Sequence, residues 1–193
     1  MNKKDEEEFQ VRRCQRYFYN HARLVNEIAK AAFGKTFPNH DQDKLLGRHL
    51  EDDDYYIIFA KRNLNFDKER DLSDSEKTEA ERAVAHHVKV NEHHPEYWDR
   101  SITEKNFDNE NPKPVDCSKM PDSAIIEMTC DWSAVAIKKN LSLYGFFEKN
   151  VGKGKRFEFS ERQIKLIKEC LDRIKNVIKE KDIHYPKIPY TVK

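Results

Sequence analysis

Between residues 6 and 33 the apolar positions recur mostly three and four apart. Phe9, Cys14, Tyr17, Phe18, Leu24, Val25, Ile28, Ala29 and Ala32 form one stripe. That period predicts a long amphipathic helix, ending near Gly34. Pro38 and Asn39 then mark a turn, with a short helix starting near Asp41. The run "YYIIFA" at 55–60 reads as a strand, although a buried helix gives the same pattern over so short a length. A second long helix is predicted after Ser73, with Glu76 three residues on to complete a capping box. Pro95 disfavours helical geometry at His94, so this helix is expected to end between Asn91 and His93. Residues 103–119 read as a long polar loop. Pro121 opens a third helix over 122–140, with Ile125, Ile126, Met128, Ala134, Val135 and Ile137 at helical spacing. "FEKNVGKGKRFEF" is a turn region, and a last helix over 160–180 opens on a capping box of Ser160 and Gln163. The tail from 184 to 193 carries two prolines and is expected to be extended. The sum predicts an all-α single domain spanning 1–193, with residues 1–5 mobile.

Composition narrows the class. A chain of 193 residues suits one domain. Charged residues make up 37%, well above the usual ~25%. Aromatics at 11% and a net charge of +1 argue against disorder, which goes with few aromatics and high net charge. The balanced signs give no surplus of Lys and Arg for a nucleic-acid-binding face. Cys14, Cys117, Cys130 and Cys170 form no C-x-x-C pair, so neither a zinc ribbon nor a thioredoxin-like site is indicated. No apolar run approaches the ~20 residues that cross a bilayer. The polar, acidic start "MNKKDEEEFQ" is unlike a secretion signal, and the expected compartment is the cytoplasm (of the host, if phage-encoded).

Histidine distribution changes the picture most. Of eight histidines, four sit in "HHVKVNEHH": His86, His87, His93 and His94. On one continuous helix a seven-residue step returns to the same face but rises ~10.5 Å, too far for ligands of one ion. Either the pairs flank two ions, or the chain folds back before Pro95, or the stretch is a solvated helix end. Upstream lie His21 in "YNHARLV" and the adjacent His40-Asp41 in "HDQDK"; downstream lies Asp131 in "IIEMTCDW".

This order, H…HD…H…HH…D over mainly helical segments, resembles the HD-domain metallohydrolase superfamily. "HDQDK" resembles its H-D-x-x-K pattern, and "HHPEYWDRS" is similar to the His-His-Glu stretch of its cyclic-dinucleotide phosphodiesterase branch, without the Gly-Tyr-Pro element. The shared "HD…K", "HH…N.HH..YW" and "EM..DW" over most of 15–140 also resemble a group of HD-like bacterial and phage proteins. The resemblance implies an HD-like helical bundle and a metal-dependent phosphohydrolase acting on a nucleotide or other small phosphate ester. It implies His21, His40, Asp41, His87, His93, His94 and Asp131 as ligands of one or two divalent ions, with Asp41 able to bridge.

Imidazole and carboxylate together suit Mn, Fe, Co, Ni, Zn or Mg. Two ions ~3.5–4 Å apart can bind a phosphate and activate a bridging water. Lys44, one turn after His40, offers a point charge to a phosphate oxygen. Glu127, four residues before Asp131 on the same face, can orient a ligand or a water. Arg100, Lys153, Lys155 and Arg156 are weaker phosphate contacts; "GKGKR" does not satisfy the Walker pattern. His49 and His184 read as surface residues, and Trp98 and Trp132 as core. Two other classes fit: a diiron oxygenase on an HD-like scaffold, and a non-catalytic nucleotide- or protein-binding module.

Overall fold

In the computed structural model, residues 3–46, 73–108 and 112–185 are described. Helix dominates them. α1 spans Lys3–Phe33, α2 Gln42–Leu46, α3 Asp74–Val90, α4 Pro95–Trp98, α5 Asp122–Lys139, α6 Gly145–Asn150 and α7 Glu161–Lys181. β1 (Val115–Asp116) and β2 (Phe157–Glu158) form a two-residue parallel pair with Val115 opposite Phe157. No helix among the described residues is long and apolar enough to cross a membrane.

The frame is α1, α5 and α7, which pack on one another. The α1 stripe buries Leu24, Val25, Ile28, Ala29 and Ala32 against Cys130 and Ala134 of α5 and Ile174 of α7. The opposite side of α5 sends Ile125 and Met128 against Ile167 and Leu171 of α7, together with Phe147, Val115 and Phe157. Each such buried aliphatic side chain is worth roughly 1.5–3 kcal/mol over its exposed state.

Helix ends are set locally. Ser160 and Gln163 close the expected capping box at α7, with Ser160 N donating to Gln163 Oε1 at 3.0 Å. Gln163 Nε2 also donates to Cys117 O at 3.0 Å and Met120 O at 2.9 Å, which ties the approach to α5 onto α7. Asn140 and Asp182 end α5 and α7 in the left-handed conformation.

Several boundaries differ from expectation. Residues 3–5 belong to α1. The 103–119 loop contains β1, whose Val115 is 1% exposed; a two-residue strand carries no period that sequence reading could detect. The glycine-containing turn region holds the last residues of α6 and then β2. α3 stops at Val90, just before the expected end. The strand expected at 55–60 and His49 lie outside the described residues. Trp98 and Trp132 are partly buried against the core, as expected.

Candidate metal centre

Five segments bring the chemistry together. α1 supplies His21. α2 and the turn leading into it supply His40, Asp41, Asp43 and Lys44. α3 supplies His87, the turn after it supplies His93 and His94, and α5 supplies Glu127 and Asp131.

The turn into α2 is pinned to α1 by Asn26, whose Oδ1 accepts from Phe37 N at 2.6 Å while its Nδ2 donates to Phe37 O at 3.1 Å. The chain then passes through Asp41 at φ 56. Asp is one of the few side chains that enters the left-handed region readily, and such backbone strain clusters at functional sites. This conformation turns the carboxylate inward, where it is 1% exposed.

The "HHVKVNEHH" stretch folds back. Lys89 Nζ donates to the carbonyls of Glu96 and Asp99, clamping the end of α3 to α4. His94 is extended (φ −91, ψ 129), as a residue before proline should be. The reversal places His94 Nε2 2.8 Å from His87 Nε2. The two-turn separation of a straight helix therefore does not apply. His86 points elsewhere, with Nδ1 2.9 Å from Glu104 Oε1.

Asp41 sits between two donor groups. Its Oδ1 lies 3.5 Å from His87 Nε2 and 3.5 Å from His93 Nε2. Its Oδ2 lies 3.8 Å from His21 Nε2 and 3.8 Å from His40 Nε2. The first group is Asp41, His87, His93 and His94; the second is His21, His40 and Asp131, in which His21 Nε2 is 2.8 Å from Asp131 Oδ1. Within each group the donor atoms all lie within 4.8 Å of one another, so either could hold a metal ion.

Two buried atoms test that fit. Asp41 Oδ1 and His93 Nε2 have no hydrogen-bond partner among the described residues. Buried polar atoms are ordinarily hydrogen-bonded, and here the two atoms without such a partner lie 3.5 Å apart in one donor group. The donors are nitrogen and carboxylate oxygen, the set that first-row divalent ions take.

Carboxylates behind the imidazoles fix which nitrogen faces inward. Glu127 Oε1 is 3.0 Å from His40 Nδ1 and 3.4 Å from His93 Nδ1. Asp43 Oδ2 is 2.6 Å from His87 Nδ1, and Asn91 Nδ2 donates to Asp43 Oδ1 at 3.0 Å. An ionised carboxylate only accepts, so these contacts place the protons on Nδ1 and leave Nε2 as the ligand atom.

Charge states follow from burial and neighbours. Burial would raise the Asp41 carboxyl, but Lys44, His40 and His87 hold it well below the ordinary value. Burial likewise opposes ionisation of Glu127, yet His40 and His93 bring it down to about 2. Asp131 is held low by His21 and His40 against its burial. Burial disfavours the His93 imidazolium, but its contacts with Asp41 and Glu127 raise it to about 10. Burial and the charge of His93 push His94 well below its ordinary value; burial, followed by Lys44, lowers His87. Both shifts favour the neutral imidazole, the form that binds a metal ion.

The chain matches the model of a family of unknown function, DUF5662, over residues 10–180. It belongs to that family. The matched span includes every residue of the two donor groups. No curated protein and no solved structure matches the chain.

All seven expected ligands of this DUF5662 protein converge, and Glu127 stands behind two of them. Lys44 Nζ lies 2.9 Å from Asp41 Oδ2. Arg156 pairs with the buried Glu96 at 3.0 Å and is held there, while His184 is exposed. Sequence reading missed Asp43, Asn91 and Asn26. Asp43 did carry a signal, as a carboxylate two residues after Asp41 in "HDQDK"; Asn91 is one turn after His87.

Proposed function

We propose that this protein is a metal-dependent phosphohydrolase with a two-ion centre. The observation that carries the proposal is the Asp41 carboxylate, which turns one oxygen to each of two His-containing donor groups. This geometry supports the resemblance to the HD-domain superfamily. His21, His40, Asp131 and Asp41 would hold one ion; Asp41, His87, His93 and His94 would hold the other. Bound divalent ions lower the pKa of a bound water and polarise phosphoryl oxygens.

The chain's own residues do the rest. Glu127 orients His40 and His93 through Nδ1, one imidazole from each group, so it sets both groups at once. Asp43 does the same for His87, and Asn91 holds Asp43 in place. Lys44 supplies a cation 2.9 Å from the Asp41 carboxylate and can meet a phosphate oxygen as a point charge. The substrate class is a small phosphate ester, with nucleotides the first set to screen.

Metal content of the purified protein, followed by phosphate release with Mn, Co, Mg, Zn, Ni and Fe(II), tests the proposal. The expected result is metal-dependent release that His40→Ala with Asp41→Ala abolishes while the protein stays folded. A metal-free protein that no added ion activates overturns it. Oxygen uptake with Fe(II), without phosphate release, would replace hydrolysis by diiron oxygenation.

A further inference from the structure

The turn that carries His93 and His94 runs straight into α4, a helix of four residues. A helix that short does not hold itself together. Its position, and with it the position of two ligands, comes from what grips it. The β1–β2 pair does so at both ends. At the start, Arg156, the residue before β2, donates from its guanidinium to Glu96 Oε1 at 3.0 Å. At the end, Asp116 N of β1 donates to Asp99 Oδ2 at 2.9 Å. Val115 N donates to Arg156 O at 2.8 Å, so Arg156 is itself tied to β1. The guanidinium also lies 5.1 Å from the centre of the Phe157 ring, which is part of the core.

Glu96 lies two residues after His94 and is 2% exposed. Its Oε2 and Arg156 Nε are both buried with no hydrogen-bond partner among the described residues, so a single prong joins the two side chains. An apolar pair of similar volume would hold α4 on the core at least as strongly, because taking two charges out of water costs about what their attraction returns. What a charge-assisted bond adds is direction. Here that direction is imposed on the short helix that follows the two ligands.

Resting on the two-ion reading above, we propose that Arg156 is a positioning residue for the metal centre: by holding Glu96 it fixes α4, and so sets His93 and His94 on the ion they share with Asp41 and His87. The basic residue of the glycine-containing turn thus serves the metal from behind its ligands. Its effect is confined to the four-residue group. His21 and Asp131 of the other group are carried by α1 and α5, and His40 by the turn before α2, none of which depends on α4 for its place in the chain.

Co(II) binding to the metal-stripped full chain tests this, followed by visible absorption, whose bands report the ligands around each ion. Glu96→Met with Arg156→Met replaces the ion pair by an apolar pair. The expected variant is as stable as the wild type in urea, yet binds one of its two Co(II) ions about tenfold or more weakly. A merely structural pair would move stability and leave affinity alone. Arg156→Lys, which keeps the cation, recovers most of the affinity. Added to His21→Ala, where the four-residue group is the complete one, the same pair of substitutions weakens the remaining ion; added to His94→Ala, it does not. Glu96→Gln repeats the comparison if the double variant does not fold, as judged by circular dichroism. Wild-type affinity for both ions, or an equal loss at both positions, overturns the role of Arg156 and leaves the metal centre standing. A wild-type chain that takes up no Co(II) overturns that role and the two-ion reading together.

Discussion

Metal loading should raise the unfolding temperature of this protein, by an amount its size and site allow to be worked out. Asp41 Oδ1 and His93 Nε2 are buried 3.5 Å apart, with no partner at hydrogen-bond geometry. An ion that binds only the folded chain stabilises it by RT ln(1 + [L]/Kd), which is ~2.7 kcal/mol at a hundredfold excess over Kd. For a chain of this length each kcal/mol moves the midpoint by ~2–4 °C. The expected rise is therefore roughly 5–11 °C between chelator-treated and metal-supplemented protein, measured by thermal denaturation across Mn, Co, Ni, Zn, Fe(II) and Mg. Asp41→Asn keeps the shape but removes the charge shared by both donor groups, so it should lose most of the shift. Coincident midpoints with and without every metal, or a full shift in Asp41→Asn, would refute the reasoning.

Other outcomes follow from the same contacts. His93 binds its proton more tightly folded than unfolded, so the metal-free fold has that stabilisation in full below ~6.5 and loses it as pH rises through about 10. A ligand must be neutral, so metal uptake at pH 7.5 should release about one proton from His93, seen as a buffer-dependent heat in titration calorimetry; equal heats in buffers of different ionisation enthalpy would contradict this. Glu127→Gln and Asp43→Asn should each weaken metal binding about 10–100-fold, whereas His86→Ala, outside the centre, should leave it unchanged. Gln163→Ala removes the capping box and the bonds to Cys117 O and Met120 O, and should cost about 2–4 kcal/mol in urea denaturation with metal stoichiometry intact.

The long helices were legible because their apolar periods are strong. The α1 stripe predicted from Leu24, Val25, Ile28, Ala29 and Ala32 is the face buried on α5 and α7. Ser160 and Gln163 announced the start of α7 correctly, since a capping box is written in adjacent residues. Gln163's second role, bonding to Cys117 O and Met120 O, depends on residues more than 40 positions away and leaves no local trace. β1 was hidden for a related reason. Two residues have no period, and Val115 pairs with Phe157 only because α5 and α6 carry the chain across between them.

The candidate site shows the same division between local and distant information. His40-Asp41 and the two His pairs stand out by composition, so the donors were visible before the fold. Which imidazole of each pair turns inward was not, because it depends on where α3 ends. A helix continuing past Val90 would keep His93 two turns beyond His86. Ending there, under the Lys89 clamp, lets both His93 and His94 join His87 and leaves His86 outside. The supporting carboxylates are harder still, since Asp43 reaches His87 across 44 positions and Glu127 reaches His40 across 87. A charged surface residue and an orienting carboxylate are the same letter in a sequence that is 37% charged. They differ only in burial and in what they face. That is why Asp43, with its side chain 7% exposed against His87, could be assigned a task only once the fold had brought the two together.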